Sequence, residues 1–139
     1  MKSRILVSRA VFPEVIGRLG ACFDVDYHDV DAPLPAAQLA ARLASKQGAL
    51  TMLSDRIDGE VLAAAPGLKA LCNVAVGYNN LDVEALSRAG VMATNTPGVL
   101  DDTTADLAWA LILASGRRVV AADSWVRAGQ WKGWKFHDD

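Results

Sequence analysis

The sequence predicts an α/β protein built on a mostly parallel sheet of five strands, with helices on both faces. Short apolar or alternating segments recur between stretches of helix-forming residues, and this order is typical of βα repeats that build a parallel sheet. Turn-forming residues such as Pro66, Gly77 and Gly90 separate the segments. The predicted strands are residues 5–7, 23–27, 49–53, 71–76 and 91–94.

The first two strands flank one helix. Residues 5–7 are a short apolar run bounded by polar residues, as in a buried strand. Pro13 fits the first turn of a helix, which we expect to end between Gly17 and Gly20. Residues 23–27 alternate strictly between apolar and polar side chains, which predicts a half-buried strand near an edge of the sheet.

The middle of the chain continues the alternation of helix and strand. Residues 35–45 are strong helix formers that begin with a proline. Residues 49–53 form the third strand, which a polar loop connects to a short helix at residues 59–65. Residues 71–76 are a fourth apolar strand, and a glycine follows it directly.

The fifth βα unit carries clear signals at its helix ends. Asp82 is a good N-cap for a helix at residues 83–89, and Gly90 is a natural C-terminal stop. The fifth strand, residues 91–94, leads into the loop formed by residues 95–98.

The last helix differs from the others in its apolar content. Thr103 and Asp106 match the capping-box pattern, which predicts that Asp106 reaches back to the Thr103 amide. Residues 107–114 are then apolar without interruption, so every side of the helix is apolar there. We expect a second body, either another domain or another chain, to cover this stretch, and its exposure to water would count against that expectation.

Composition narrows the function classes. The chain has 139 residues, 52% of them hydrophobic, with a mean hydropathy of +0.18 and a formal charge of −2, so it predicts one compact domain rather than disorder. No cationic stripe or membrane-length apolar run appears, which argues against nucleic-acid and membrane partners. Cys22 and Cys72 lie in apolar runs and are interpreted as buried, reduced thiols. With no signal-peptide pattern, a cytoplasmic protein is expected.

Three turns at strand ends are candidate ligand sites. The turn at Gly77 follows the fourth strand, where ligands bind in open α/β sheets, and glycine permits a positive φ and a close backbone approach to an anion. Residues 54–58 and 95–98 follow two other strands, and Arg56 is a candidate for an anion contact. Each turn, taken alone, is also compatible with an ordinary connection, a rigid loop or a helix cap.

Other chemistry finds little support. His28 is expected at the surface and His137 has no partner at a defined spacing, so neither is a strong candidate for a general acid. No cluster of Cys and His has metal-binding spacing. The chain also lacks the Gly-x-Gly-x-x-Gly dinucleotide fingerprint, a P-loop and a Gly-x-Ser-x-Gly elbow.

Four segments in order resemble the D-2-hydroxyacid dehydrogenases, most closely the glyoxylate/hydroxypyruvate reductases. They are residues 53–58 (LSDRID), 74–82 (VAVGYNNLD), 95–100 (NTPGVL) and 103–108 (TTADLA), and the family often has Asp where this chain has Asn79. The resemblance implies a flavodoxin-like, substrate-binding first domain at residues 1–100. It also implies a long interdomain helix at residues 101–128 and the start of a connection to a Rossmann domain at residues 129–139.

The same resemblance implies site roles. The Val76 and Gly77 amides would hold the carboxylate of a small 2-keto acid, Leu53 and Ser54 would line the cleft, and Thr104 would lie against the nicotinamide of NAD or NADP. The family's Arg, Glu and His have no counterpart here, so no catalytic residue is expected in this chain. We therefore expect the chain to be inactive alone, to bind no cofactor tightly, and to form a homodimer that buries residues 107–114.

Two other functions compete with this interpretation. One is a non-catalytic module that binds a small acid or drives oligomerisation. The other is a phosphoacceptor receiver domain, which has a similar βα order but needs acidic residues after the first strand and a lysine after the fifth. Here those places hold Ser8-Arg9 and Thr94-Asn95, which argues against the receiver domain.

Overall fold

The structure, a computed structural model, describes residues 1–134. The chain divides into two compact units, Met1–Val99 and a second unit that begins at Leu100. His137 and the rest of the C-terminal tail lie outside the described residues.

The first unit contains the predicted five-stranded parallel sheet. Its strand order, β2-β1-β3-β4-β5, is that of flavodoxin-like sheets, with β2 at an edge as predicted. Every neighbouring pair is parallel. The strands are β1 (Arg4–Val7), β2 (Asp24–Tyr27), β3 (Gly48–Met52), β4 (Ala70–Val74) and β5 (Met92–Thr94).

Four helices connect these strands. Pro13 opens α1 as predicted, but the helix does not end at Gly17 or Gly20 and continues to Cys22. Glycine inside a helix costs only about 1 kcal/mol relative to alanine, so without a left-handed C-cap residue it does not force the helix to stop. The helices are α1 (Pro13–Cys22), α2 (Ala36–Leu43), α3 (Gly59–Ala64) and α4 (Val83–Ala89).

The main core lies between the sheet and helices α2, α3 and α4. Its largest fully buried aliphatic side chains come from the strands, from α2 and from the loop before α3, namely Leu6, Leu39, Leu43, Ile57 and Leu71. The opposite sheet face carries the alternate side chains. There Leu19 of α1 lines a cavity of about 270 Å³ together with Ile5, Leu50 and Cys72.

The two cysteines correct one expectation. Both Cys22 and Cys72 are free thiols, but they are exposed and not buried. Cys72 lies in β4, where Leu71 and Asn73 on either side face the covered side of the sheet. Strict alternation therefore turns Cys72 to the other face, which an apolar run does not reveal.

Two helices of the first unit, α3 and α4, begin at aspartate caps. Asp82 caps α4 by accepting a hydrogen bond from the Ala85 amide at 2.8 Å, and Gly90 ends the helix in the left-handed conformation at φ 67°. Asp58 caps α3 by accepting from two amides of its first turn.

The second unit contains two helices, α5 (Asp101–Gly116) and α6 (Val119–Arg127). The expectation of one long helix over residues 101–128 is therefore wrong, because Arg118 adopts a left-handed conformation at φ 52° and interrupts it. The prediction of a capping box at Thr103 and Asp106 is also wrong. Helix α5 already begins at Asp101, and the Thr103 hydroxyl lies inside its first turn, where it donates to the Leu100 carbonyl at 3.1 Å.

The apolar stretch of α5 is exposed in the isolated chain. Leu107, Trp109, Leu111, Ile112 and Leu113 are each 60–64% exposed. Exposure is the outcome stated above to count against a covering second body, and this single chain gives that outcome; the cover was expected from another domain or another chain. Its burial in an assembly stays a prediction. Within residues 1–134 no helix is long and apolar enough to cross a membrane.

Candidate functional site

The candidate site lies at the carboxyl edge of the sheet. Since all five strands are parallel, the loops that follow β1, β3, β4 and β5 leave the sheet at this same edge. These loops carry the predicted site residues of the first unit and the polar side chains around them.

The turn after β4 is held by its carbonyl groups. The Val76 carbonyl accepts a hydrogen bond from Asn95 Nδ2 at 2.7 Å, and the Gly77 carbonyl accepts from Asn73 Nδ2 at 3.4 Å. Within residues 1–134, no group accepts a hydrogen bond from the Val76 or Gly77 amide. The turn is therefore fixed on one side while two successive N–H groups are free to bind an acceptor.

Gly77 itself differs from the expectation. Its φ is not positive, unlike that of Gly90 and Gly98, so the turn does not depend on a left-handed glycine. A Cβ added at Gly77 would meet no heavy atom within 4 Å. This glycine therefore leaves open space in front of the backbone and does not serve to relieve backbone strain.

The loop after β3 places Leu53 and Ser54 beside a cavity of about 380 Å³, which Asn79 and Asn80 also line. Leu53 is 70% exposed. Arg9, which follows β1, donates from Nη2 to Ser54 Oγ at 2.8 Å. Because that bond uses a lone pair of the hydroxyl, the Ser54 proton is free to be donated to an oxygen of a ligand.

The two predicted pairs lie on neighbouring loops rather than around one cavity. Val76 and Gly77 belong to the turn after β4, and they are not among the residues that line the cavity beside Leu53 and Ser54.

A buried polar layer supports the β3 loop from below. Asp55 is 2% exposed, and its Oδ2 accepts from Ser8 Oγ and from the Met52 amide. Within the described residues, Asp55 Oδ1 and Arg9 Nε are buried atoms that have no hydrogen-bond partner. This edge therefore keeps one acceptor and one donor that no other group of residues 1–134 uses.

Arg56 is mainly a partner of Asp58. The two side chains form an ion pair at 3.1 Å, with Arg56 83% exposed. The backbone amide of Val61 and, to a smaller extent, the Arg56 guanidinium lower the pKa of Asp58 below its usual value. Asp58 is thus a charged helix cap, and within the described part of the chain it is the anion that pairs with Arg56.

Thr104 belongs to the second unit. It lies in the first turn of α5, exposed, with its amide donating to the Leu100 carbonyl at 2.9 Å. His28 is half-buried at the end of β2, not fully at the surface. Across residues 1–134, no group of three or more His, Cys, Asp or Glu side chains is arranged to hold a metal ion.

The residues present do not fit a dinucleotide. A pyrophosphate site needs a glycine-rich turn between a strand and a helix of sufficient length, and the sequence has no Gly-x-Gly-x-x-Gly motif. No step of cofactor chemistry is therefore assigned to the residues of this chain.

Comparison with known proteins identifies the family. The sequence profile of the D-isomer specific 2-hydroxyacid dehydrogenase catalytic domain matches residues 5–128. The chain belongs to this family. Relatives of this dehydrogenase domain include the glyoxylate reductase of Aeropyrum pernix, 45% identical over 130 residues, and that of Thermococcus gammatolerans, 43% identical over 132 residues. These alignments cover 94% and 95% of this chain but only 39% and 40% of the relatives.

Solved structures agree with the family. A protein from Thermus thermophilus superposes with a TM-score of 0.84 at 39% identity, covering 96% of this dehydrogenase domain and 43% of that chain. The NADPH-dependent glyoxylate/hydroxypyruvate reductase of Sinorhizobium meliloti, in complex with NADP and malonate, superposes with a TM-score of 0.73 at 30% identity. This superposition covers 94% of this chain and 40% of the reductase chain.

Sequence reasoning missed the polar residues that hold the loops of this dehydrogenase domain. Asn73 and Thr51 lie in the middle of strands and are 2% and 0% exposed. The signal was available, because a polar residue at an inward position of an apolar strand must find a hydrogen-bond partner. Asn80 and Arg9 gave no comparable signal, since both stand in polar segments.

Proposed function

We propose that this chain is the substrate-binding part of a reductase that converts small 2-keto acids of the glyoxylate/hydroxypyruvate class to D-2-hydroxy acids. The observation that carries the proposal is the turn at Val76 and Gly77, whose carbonyls accept hydrogen bonds while its amides donate none within residues 1–134. A carboxylate that accepts both N–H groups would make two charge-assisted hydrogen bonds, each worth about 1.5–3 kcal/mol.

Other residues would shape the ligand site. Leu53 would offer an apolar contact, and Ser54 would donate a hydrogen bond to a ligand oxygen while Arg9 holds its hydroxyl. The substrate class is supported by the names of the relatives, which are glyoxylate reductases, and by the small dicarboxylate in the related Sinorhizobium meliloti complex.

We propose that the protein is located in the cytoplasm.

The roles that we propose for the segments of the chain rest on its resemblance to the family. Residues 1–100 would bind the acid, residues 101–128 would lead to a nicotinamide-binding body, and residues 129–139 would begin that connection. Thr104 would lie against the nicotinamide of NAD or NADP, which that other body would hold. Hydride transfer also needs a proton donor for the developing alkoxide, and no residue here matches the family's Arg, Glu and His, so the chain alone is proposed to be inactive.

A chimeric enzyme tests this function. The segment of Aeropyrum pernix glyoxylate reductase that aligns with this chain, 130 residues, is replaced by the corresponding residues of this chain. We expect the chimera to oxidise NADH or NADPH in the presence of glyoxylate or hydroxypyruvate, and we expect no turnover from the isolated 139-residue chain.

The chimera and the isolated chain test different parts of the proposal. Turnover by the isolated chain would overturn the proposed inactivity. A folded chimera that binds cofactor but reduces neither acid would overturn the substrate assignment and favour the alternative, a non-catalytic module that binds a small acid or drives oligomerisation.

We further propose that two copies of the chain associate through the apolar stretch of α5. Five of its large apolar side chains are each 60–64% exposed, and contiguous apolar patches of a few hundred Å² mark interaction surfaces. We expect the chain to sediment as a dimer and Ile112→Glu to sediment as a monomer, with Arg117→Glu just beyond this stretch as the control that leaves the dimer intact. A well-behaved wild-type monomer would contradict the proposal.

A further inference from the structure

One side-chain amide lies between the two loops of the candidate site. Asn80 Nδ2 donates to the Met52 carbonyl at 3.2 Å and to the Asp55 carbonyl at 2.9 Å, and it lies 3.2 Å from Asn73 Oδ1. Met52 and Asp55 bracket the loop that carries Leu53 and Ser54. All three neighbours of this nitrogen are acceptors, so only a donor satisfies the position.

The hydrogen bonds continue from Asn80 to the turn after β4. Asn73 Nδ2 donates to Asn80 Oδ1 at 3.1 Å and to the Gly77 carbonyl at 3.4 Å. Asn73 is 2% exposed, and its Oδ1 also accepts from Thr51 Oγ1 at 3.3 Å. A connected path therefore runs from the carbonyls of Met52 and Asp55 through two side-chain amides to the carbonyl of Gly77.

Backbone bonds join the same loops farther along the chain. The Ile57 amide donates to the Asn80 carbonyl at 2.9 Å, and the Asp82 amide donates to the Ile57 carbonyl at 2.8 Å. These bonds do not involve the Asn80 side chain. A side-chain substitution at Asn80 would therefore release the inner ends of the loops while their outer connection remains.

We infer that Asn80 is a positioning residue that fixes the loop of Leu53 and Ser54 relative to the turn of Val76 and Gly77. Its amide has the two properties that the position requires, a donor for the carbonyls on one side and an acceptor for Asn73 on the other. For the ligand, this inference rests on the proposed function: the Ser54 hydroxyl and the two turn amides can act on one small acid only if their separation is fixed.

Amide hydrogen exchange of the 139-residue chain, measured by NMR without ligand, tests the coupling. The reporters are the internally bonded amides of Asp55 in one loop and of Ala75 and Leu81 in the other. In Asn80→Ala we expect these three protection factors to fall together by about tenfold, the loss expected for a buried hydrogen bond. The Ile57 and Asp82 amides of the outer connection should keep their protection. The strand amides of the sheet should keep their protection.

Two further variants distinguish positioning from general packing. Asn79→Ala, at the exposed neighbouring position, should leave the three protection factors unchanged. Asn80→Asp lacks the donor when ionised but regains an O–H donor when protonated. Its protection factors, each compared with wild type at the same pH, should therefore recover as the pH falls through its pKa, whereas those of Asn80→Ala should not.

Three results would overturn the inference. They are unchanged protection in Asn80→Ala, an equal loss across the whole sheet, and an Asn80→Asp profile that does not recover in acid. Because the exchange is measured without ligand, it decides the role of Asn80 independently of the chimeric enzyme, whose failure would count against the proposed function instead.

Discussion

Replacing Asp26 by asparagine is expected to lower the free energy of unfolding by about 2–3 kcal/mol at pH 7, because it leaves a buried lysine without its counter-charge. Lys46 is only 5% exposed, and its Nζ lies 2.8 Å from Asp26 Oδ2. Arg42 of α2 pairs with the same carboxylate. Since the Asp26 side chain is 34% exposed, the expected loss lies at or just below the lower limit of the roughly 3–5 kcal/mol that breaking a fully buried pair costs.

The position of Asp26 makes this cluster important for the fold. Asp26 lies on the edge strand β2, and Arg42 and Lys46 lie at and just beyond the end of α2. The three charges therefore connect the C-terminal end of a core helix to a strand with only one neighbour in the sheet. Losing them is expected to loosen both elements.

The effect should depend on pH in a defined direction. The Arg42 guanidinium, with a smaller contribution from Lys46, holds the pKa of Asp26 below its ordinary value of 3.8, although partial burial of the carboxyl opposes the shift. A pKa that is lower in the folded state stabilises the protein above the ordinary value and ceases to do so as the pH falls through the lowered one. The difference between wild type and Asp26→Asn should therefore shrink below about pH 4.

Urea unfolding followed by circular dichroism at pH 7 and at several acidic values measures this difference. Asp24→Asn is the matched control on the same strand, because Asp24 pairs with Arg4 at 3.9 Å and both side chains are more than half exposed. That control should change the unfolding free energy by less than about 0.5 kcal/mol. Equal effects of the two variants, or a difference that persists in strong acid, would contradict the argument.

The elements that sequence reasoning predicted best are those whose ends are marked by a local hydrogen bond. Helix α4 occupies the predicted residues 83–89, because Asp82 and Gly90 cap its two ends within one turn. The five strands were predicted to within two residues because each is an apolar or alternating run between turn residues.

The errors fall where no local signal exists. Arginine has no particular preference for the left-handed conformation that Arg118 adopts. The break between α5 and α6 could therefore not be predicted from an apolar run followed by charged residues. Gly17 and Gly20 are tolerated inside a helix, so they do not mark its end, and α1 continues to Cys22. The burial of a cysteine in a strand depends on which face it takes and on what covers that face.

The position of the candidate site, at the carboxyl ends of the strands, was predictable from the sequence. The contacts that hold its loops were not. A glycine turn after an apolar strand is enough to direct attention to Val76 and Gly77. The contacts that hold this turn cannot be read from spacing, since Asn80 is separated by 28 positions from Met52 and by 25 from Asp55. Such hydrogen bonds arise only when the parallel register brings the ends of β3 and β4 side by side.

Removing the Gly77 N–H is expected to impair the chimeric reductase far more than adding a methyl group at the same position. Gly77→Pro deletes one of the two amides proposed to hold the substrate carboxylate. Loss of a charge-assisted hydrogen bond worth about 1.5–3 kcal/mol corresponds to a fall in kcat/KM of about 10- to 150-fold. The change should fall on KM when the carboxylate is held equally in the ground and transition states.

The internal hydrogen bonds around Gly77 do not oppose a proline at this position. Within residues 1–134 no group accepts from the Gly77 amide, so its deletion removes no internal hydrogen bond. The φ of Gly77 is not positive, so proline meets no requirement for a left-handed residue. The Gly77 carbonyl, which accepts from Asn73, is kept in the variant.

Gly77→Ala is the matched control, because it adds a side chain but retains the N–H group. A Cβ at this position meets no heavy atom within 4 Å, so the variant should fold with an unchanged melting temperature. We expect its kcat/KM with glyoxylate to remain within about threefold of the parent chimera, a cost below 1 kcal/mol. If alanine and proline reduce kcat/KM equally while both variants melt like the parent, the amide does not bind the substrate, and the carboxylate must be held elsewhere.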